Sequence, residues 1–184
     1  MTEPSVQPNG PGPGPLNRKI FMVESSHTSP WAEHVVSTKS KWSASEIIEF
    51  LSESRTPLRL ASMDDQGYPQ ITSLWYTLRE GTLLCCTQPQ SVIARQLRSN
   101  PRVGLEVAVN EPPYRGVSGQ GDARIVEGDT HSLLTELAER HLPGQDSDLK
   151  KWLLSRAETE VILEVTPQHL TSWDFRSRMS TRRS

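Results

Sequence analysis

Cysteine is almost missing from this 184-residue chain: there are two, Cys85 and Cys86, and they are adjacent. Neighbouring side chains on a strand point to opposite faces, so this pair does not form an ordinary disulfide. Nothing asks for an oxidising compartment, and no Cys/His set stands at zinc spacing, so no metal is expected. Long apolar runs are lacking too. None approaches the roughly 18–20 residues of a membrane span. The first residues also lack the basic stretch and following apolar run of a secretory signal. The expectation is a cytoplasmic protein with no membrane partner. A surplus of positive charge is the third absence. The net charge is −2, and once residues 1–40 and 176–184 are set aside the remainder holds 13 basic against 19 acidic residues, a net of −6. Phosphate backbones demand clustered Lys and Arg, so nucleic acid is not an expected partner.

What is present divides the chain into three. Eight of the first fifteen residues are Pro or Gly, and no period of 2 or 3.6 can be read through residue 40. Residues 1–40 are therefore expected to be a disordered or loosely ordered N-terminal arm. Residues 41–175 form one domain of ordinary size. Residues 176–184, with four Arg and no acid, make a basic C-terminal tail.

Within the domain, Ser43-Ala44-Ser45-Glu46 fits a capping box, and Ile47, Ile48, Phe50 and Leu51 continue it as a short amphipathic helix. The period then changes. Residues 58–63 read as a strand, Asp64-Asp65-Gln66-Gly67 as a turn, and 68–78 as one long strand rich in aromatic and β-branched residues. Arg79-Glu80-Gly81 turns the chain back into 82–87. Residues 90–99 have helical spacing and stop at Asn100-Pro101. Strands follow at 102–109 and 114–127, helices at 130–141 and 146–156, and a closing strand at 159–165, with one more short strand at 170–175. Such an order predicts a mainly β (α+β) fold, a small antiparallel barrel of six strands with flanking helices.

The familiar catalytic templates fail. Gly116-Val117-Ser118-Gly119-Gln120 begins like a nucleophile elbow, but Gln replaces the last Gly and the segment lies within a strand pattern. Gly116, Gly119 and Gly121 also miss the dinucleotide spacing. They suit a bulged strand, a strand against which something flat lies, or a bend at a barrel corner. The five His residues are scattered, and no catalytic residue is assigned.

A longer correspondence does emerge. It runs through Pro69-Gln70-Ile71-Thr72-Ser73-Leu74-Trp75-Tyr76, Gly81-Thr82-Leu83 and Thr87. Ser91, Arg95-Gln96-Leu97-Arg98 and Asn100-Pro101-Arg102-Val103 continue it. Pro112-Pro113-Tyr114-Arg115-Gly116, Gly121-Asp122-Ala123, Thr166-Pro167 and Ser172-Trp173-Asp174-Phe175 complete it. In this order and spacing, over roughly residues 45–175, the chain resembles the pyridoxamine 5′-phosphate oxidase-like family, the flavin-binding split barrels that include flavin/deazaflavin oxidoreductases.

The resemblance implies a six-stranded antiparallel split β-barrel, homodimeric, with flavin sites at the subunit interface and a small-molecule substrate. It implies FMN, or alternatively the deazaflavin coenzyme F-420, as cofactor, and hydride transfer to or from the substrate as the reaction. Carried over by position, Ser73, Leu74 and Trp75 would wall the ring, and Thr87, Ser91 and Arg95 would hold the phosphate or tail. Tyr114 and Arg115 would form a loop rim, reaching toward the partner's site. Two departures stand out. Val92 and Ile93 occupy places where tight FMN binders of the family carry basic residues, leaving Arg98, Arg102 or Arg115 to compensate. The Arg/His-bearing C-terminal segment of true pyridoxamine 5′-phosphate oxidases is also missing, so vitamin B6 oxidation is not expected. The alternative is a non-catalytic cofactor-binding or sensory split barrel for flavin or haem, with His131, His141 or His169 as the candidate axial ligands.

Overall fold

The computed structural model describes residues 31, 34–144 and 148–180; most of the expected N-terminal arm and the last four residues of the tail lie outside them. The order is α1 (Ala44–Glu53), β1 (Leu58–Met63), β2 (Pro69–Leu74), β3 (Thr77–Arg79), β4 (Thr82–Thr87), α2 (Val92–Ser99), β5 (Arg102–Ala108) and β6 (Arg115–Val126). It continues with α3 (Thr130–His141), α4 (Asp148–Ser155), a 3-10 turn (Ala157–Thr159), β7 (Val161–Asp174) and α5 (Arg176–Ser180). Among the described residues no helix is long and apolar enough to cross a membrane.

Local sequence explains most boundaries. The Ser43 hydroxyl accepts from the Glu46 N–H while the Glu46 carboxylate accepts from the Ser43 N–H, the reciprocal bonds of a capping box. Glu80 and Gly81 both take positive φ, which lets the chain reverse tightly between β3 and β4. Asp64 accepts from the backbone of Gln66 and Tyr68, and Gly67 supplies the positive φ of that turn.

All strands join one antiparallel sheet in the order β2-β1-β5-β6-β7-β4-β3. Its two edge strands, β2 and β3, are consecutive in the chain and separated only by Trp75 and Tyr76. Laid flat, seven strands at a spacing of about 4.8 Å would hold those edges about 29 Å apart. Three Cα steps reach about 11 Å at most. The sheet must therefore curl until its edges meet, joined there by chain rather than by ladder hydrogen bonds, which makes it a split barrel. Its interior is filled by alternate strand residues, among them Leu58, Leu60, Leu83, Val103, Leu105, Val107, Val117 and Leu163, with Ile47 and Leu51 of α1 packed against them.

Two strand assignments differ from the expectation, and the first of them makes the strands seven rather than six. The run 68–78 is not one strand: it breaks at Trp75-Tyr76, because Tyr76 turns fully inward and donates its hydroxyl to the Leu51 carbonyl at 2.8 Å. Conversely, 159–165 and 170–175 are parts of a single strand, β7. Pro167, which cannot donate to a ladder, sits where the β6–β7 register shifts between Gln120 and Gly121, so the strand continues past it. Beyond the start of β4, residues 35–37 take over as neighbours of β7: Leu170 N–H donates to Val35 O at 2.6 Å and Ser37 N–H to Leu170 O at 2.8 Å. Trp31 is buried in the same core, with its indole N–H on Gly81 O at 2.8 Å.

Candidate functional site

A cavity of about 500 Å³ opens between the β2 end of the sheet, the β4–α2 connection and helices α3 and α4. That volume lies within the range of roughly 300–1,000 Å³ usual for small-molecule sites. It adjoins a satellite core in which Leu133 and Leu137 of α3 pack on Ile162, joined by Trp75, Leu84, Cys86 and Val126; Leu137, Trp75 and Cys86 of this cluster line the cavity. Leu134 and Leu137 recur along α3 at the spacing that gives a helix one apolar face, which aims them into the cavity. The remaining apolar wall is Leu149, Trp152 and Leu153 of α4, a helix with no buried residue of its own.

The polar end lies where β4 gives way to α2. Ser91 is the N-cap of α2, accepting from Ala94 N–H at 3.2 Å, and the Thr87 hydroxyl donates to the Ser91 hydroxyl at 3.1 Å. Gln88 lines the same end. Arg156 and Glu160 complete it from the segment before β7, their charged groups 3.4 Å apart. Burial pushes the Glu160 carboxyl above its ordinary range, opposed by the Arg156 charge. Burial, then the nearby Glu160 charge, pushes the Cys86 thiol up to about 12. Cys86 is thus a lining group and not a nucleophile. No histidine is among the described residues lining the cavity, and nothing there pairs a nucleophile with a base. The arrangement suits holding a flat, partly polar molecule rather than covalent catalysis.

Of the residues singled out in the sequence, Ser73, Leu74, Trp75, Thr87 and Ser91 come together on this cavity. Arg95 does not line it: it lies exposed on α2 and its guanidinium donates to the Gln90 carbonyl at 3.0 Å. Tyr114 faces a separate hollow with Phe175, Arg178 and Met179, and Arg115 another with Trp42, Glu46 and Arg176. Of the pair replacing basic residues, Val92 is exposed whereas Ile93 is fully buried in the core. Leu134, Leu137, Trp152, Arg156 and Glu160 were missed, because they lie 61 to 87 residues beyond Ser73 in sequence and reach the cavity only through the packing of α3, α4 and the segment after α4. The one signal was the apolar spacing of those helices.

Trp75 is held from behind. Its indole stacks on the His141 imidazole, with centroids 5.0 Å apart and planes 2° from parallel. The two imidazole nitrogens face the carbonyls of Arg55 at 3.1 Å and Tyr76 at 3.4 Å. His131 and His169 are exposed.

The family model described as pyridoxamine 5′-phosphate oxidase matches residues 44–174. No curated protein matches the chain in sequence. Among solved structures, a conserved hypothetical protein from Mycobacterium tuberculosis is 26% identical, with a TM-score of 0.65, over 78% of this chain and 91% of that one. An F420 reductase (22% identity, TM-score 0.57) is covered over 94% of its length and 67% of this chain. A FAD-binding protein from Mycobacterium smegmatis (18%, TM-score 0.51) is covered over 98% of its length and 73% of this chain. The last two are likenesses of fold.

Proposed function

The chain belongs to the pyridoxamine 5′-phosphate oxidase family, and on that premise we propose that its cavity binds a flavin-type cofactor, FMN or a deazaflavin of the F420 kind, for hydride transfer to or from a small organic substrate. One observation carries this reading: Ser73, Leu74 and Trp75 at the end of β2 and Thr87 and Ser91 at the β4–α2 turn line a single cavity, apolar and aromatic on one side, hydroxyl-bearing at the other. The residues present fit such a group. A tricyclic ring needs broad apolar contact, which Leu74, Trp75 and the α4 side chains offer; a ribityl phosphate needs donors, which Thr87, Gln88, Ser91 and Arg156 offer. When bound, the cofactor supplies the hydride chemistry. The protein's own part is to orient the ring against Trp75, itself fixed by His141, and to exclude water with the apolar faces of α3 and α4.

The reading includes a homodimer. β2 leaves Ile71 71% exposed beside the cavity-lining Ser73, and Tyr68, just before the strand, is 66% exposed; exposed apolar groups on a sheet edge favour cover by a second copy. Tyr114 and Arg115, away from the cavity of their own chain, would then serve the partner's site.

The test is an absorbance spectrum of the purified protein, followed by titration with FMN and with the deazaflavin coenzyme. Saturable binding of either, lost or weakened in Trp75→Ala, supports the reading; binding of neither ends it. Light scattering reads the dimer, which Ile71→Lys is expected to dissociate. Binding without turnover is the second reading, favoured by Val92 and Ile93, which bring no charge to the start of α2. Haem ligation by His141 would require its ring to give up the Arg55 or Tyr76 carbonyl.

A further inference from the structure

We propose that Arg156 is the anion-binding residue of this cavity, its guanidinium taking the phosphate of a phosphorylated flavin or deazaflavin in exchange for Glu160. The proposal rests on the cofactor reading above and adds to it a residue that no family motif in the sequence marks. Among the described residues lining the cavity, Arg156 is the one cation. The arginines nearer the family signature are not among the residues lining the cavity. Arg95 is engaged by the Gln90 carbonyl, Arg98 is exposed on α2, and Arg102 lines a separate hollow with Asp122.

Strand register puts Arg156 at the right end. Thr87 lies opposite Val161 in the β4–β7 ladder, so Glu160, one residue before Val161, adjoins the Thr87–Ser91 hydroxyl pair. Arg156 stands four residues earlier, across the 3-10 turn, on the same side of the cavity as Glu160. The guanidinium is pre-positioned without being consumed. It lies over the Trp152 ring, 4.5 Å from its centroid, a cation–π contact that restrains it. Its contact with Glu160, at 3.4 Å, is longer than the 2.7–2.9 Å or so of a charge-assisted hydrogen bond. A phosphate offers shorter, bidentate bonds to that fork, with the Thr87 and Ser91 hydroxyls beside it. Glu160, its side chain 12% exposed, is the group such an anion displaces, and its own charge works against the incoming one.

Matched ligand pairs test this directly: FMN against riboflavin, and the deazaflavin coenzyme against its phosphate-free ribityl core, each titrated by fluorescence. Arg156→Ala is expected to weaken the phosphorylated member at least tenfold and leave the other unchanged, while Glu160→Gln tightens the phosphorylated member. Arg156→Gln keeps the bulk over Trp152 and covers the case in which the alanine variant misfolds; it is expected to show the same selective loss. Equal weakening of both members would mean that Arg156 acts through packing alone, and unchanged affinity for the phosphorylated one would remove it from the site. Either result overturns the proposal while leaving the cofactor reading intact. Binding of no flavin or deazaflavin to the wild-type protein removes both.

Discussion

The Trp75 indole lies flat on the His141 imidazole, the planes within 2° of parallel. Trp75 is the first of the two residues that join the barrel's open edges, and His141 is the last residue of α3. Because the imidazole nitrogens face the carbonyls of Arg55 and Tyr76, one ring ties the α1–β1 loop, the edge junction and the end of α3 together. The cavity wall at Trp75 is therefore only as rigid as this contact.

Burial holds the His141 pKa below its ordinary value, opposed by the carbonyl contacts and aided by the Arg140 and Arg55 charges. The unfolded chain then binds the proton more readily, so stability rises with pH through this window. The contribution is complete above the unfolded value of about 6.5 and is lost as pH falls through the folded one. Denaturant midpoints at pH 5 and 7.5 are expected to differ less in His141→Gln than in the wild type. An unchanged pH slope would show that His141 does not titrate with folding.

Arg140 donates to the carbonyls of Leu51 at 2.8 Å, Ser52 at 2.5 Å and Ser54 at 2.6 Å, satisfying the end of α1 from almost ninety residues away. It also lies over the Tyr76 ring, 5.3 Å from the centroid. Arg140→Ala is expected to cost about 3 kcal/mol, read by urea unfolding, since hydrogen bonds to charged groups are worth roughly 1.5–3 kcal/mol each and the alternatives here include water. Arg140→Lys recovers only part, because an ammonium does not fork.

Cys85 is fully buried and its thiol is pushed far up by that burial; Cys86 is raised to about 12. Neither holds an appreciable thiolate near neutral pH. A chromogenic disulfide reagent is expected to label Cys85 only at the rate of unfolding and Cys86, half-buried on the cavity wall, slowly but ahead of Cys85. Prompt labelling of one thiol would contradict this placement of Cys86.

At Gly119, β7 leaves no room for a side chain: a Cβ there would lie 2.0 Å from His169 O and 2.9 Å from Leu170 Cδ2. The obstructing atom is strand backbone, which is paired and has no room to retreat. Gly119→Ala is expected to destabilise by about 3 kcal/mol or more. Gly104→Ala is the control. Its Cβ meets only Ala61 Cβ, at 3.6 Å, and thermal melts should place it within about 1 kcal/mol of wild type.

Elements whose cause is local were legible from residues alone. The Ser43–Glu46 box, the Asp64–Gly67 and Glu80–Gly81 turns, and the Ser91 start of α2 each depend on side chains a few positions apart, and the structure has them at or near the places read. The 68–78 run was misread because Trp75 and Tyr76 suit a strand by propensity; only the pull of Tyr76 toward Leu51 breaks it. The single strand β7 was read as two, 159–165 and 170–175, because Pro167 lies between them; the β6 register shift beside it lets the strand run on. Ser73, Leu74, Trp75, Thr87 and Ser91 were named from the family pattern, and the structure puts them on one cavity. Arg156, Glu160 and Trp152 were not, since no short-range spacing relates them to the others.

By itself, then, the sequence determined the caps, the turns, the alternating core positions and the family, because these rest on contacts between near neighbours or on the order of motifs along the chain. Tertiary structure alone decided that the sheet's edges meet at Trp75-Tyr76, that His141 backs Trp75, and that Arg156 rather than Arg95 brings charge to the cavity. Each of these joins residues far apart in the chain, and their meeting follows from how the curled sheet closes and where α3 and α4 pack upon it.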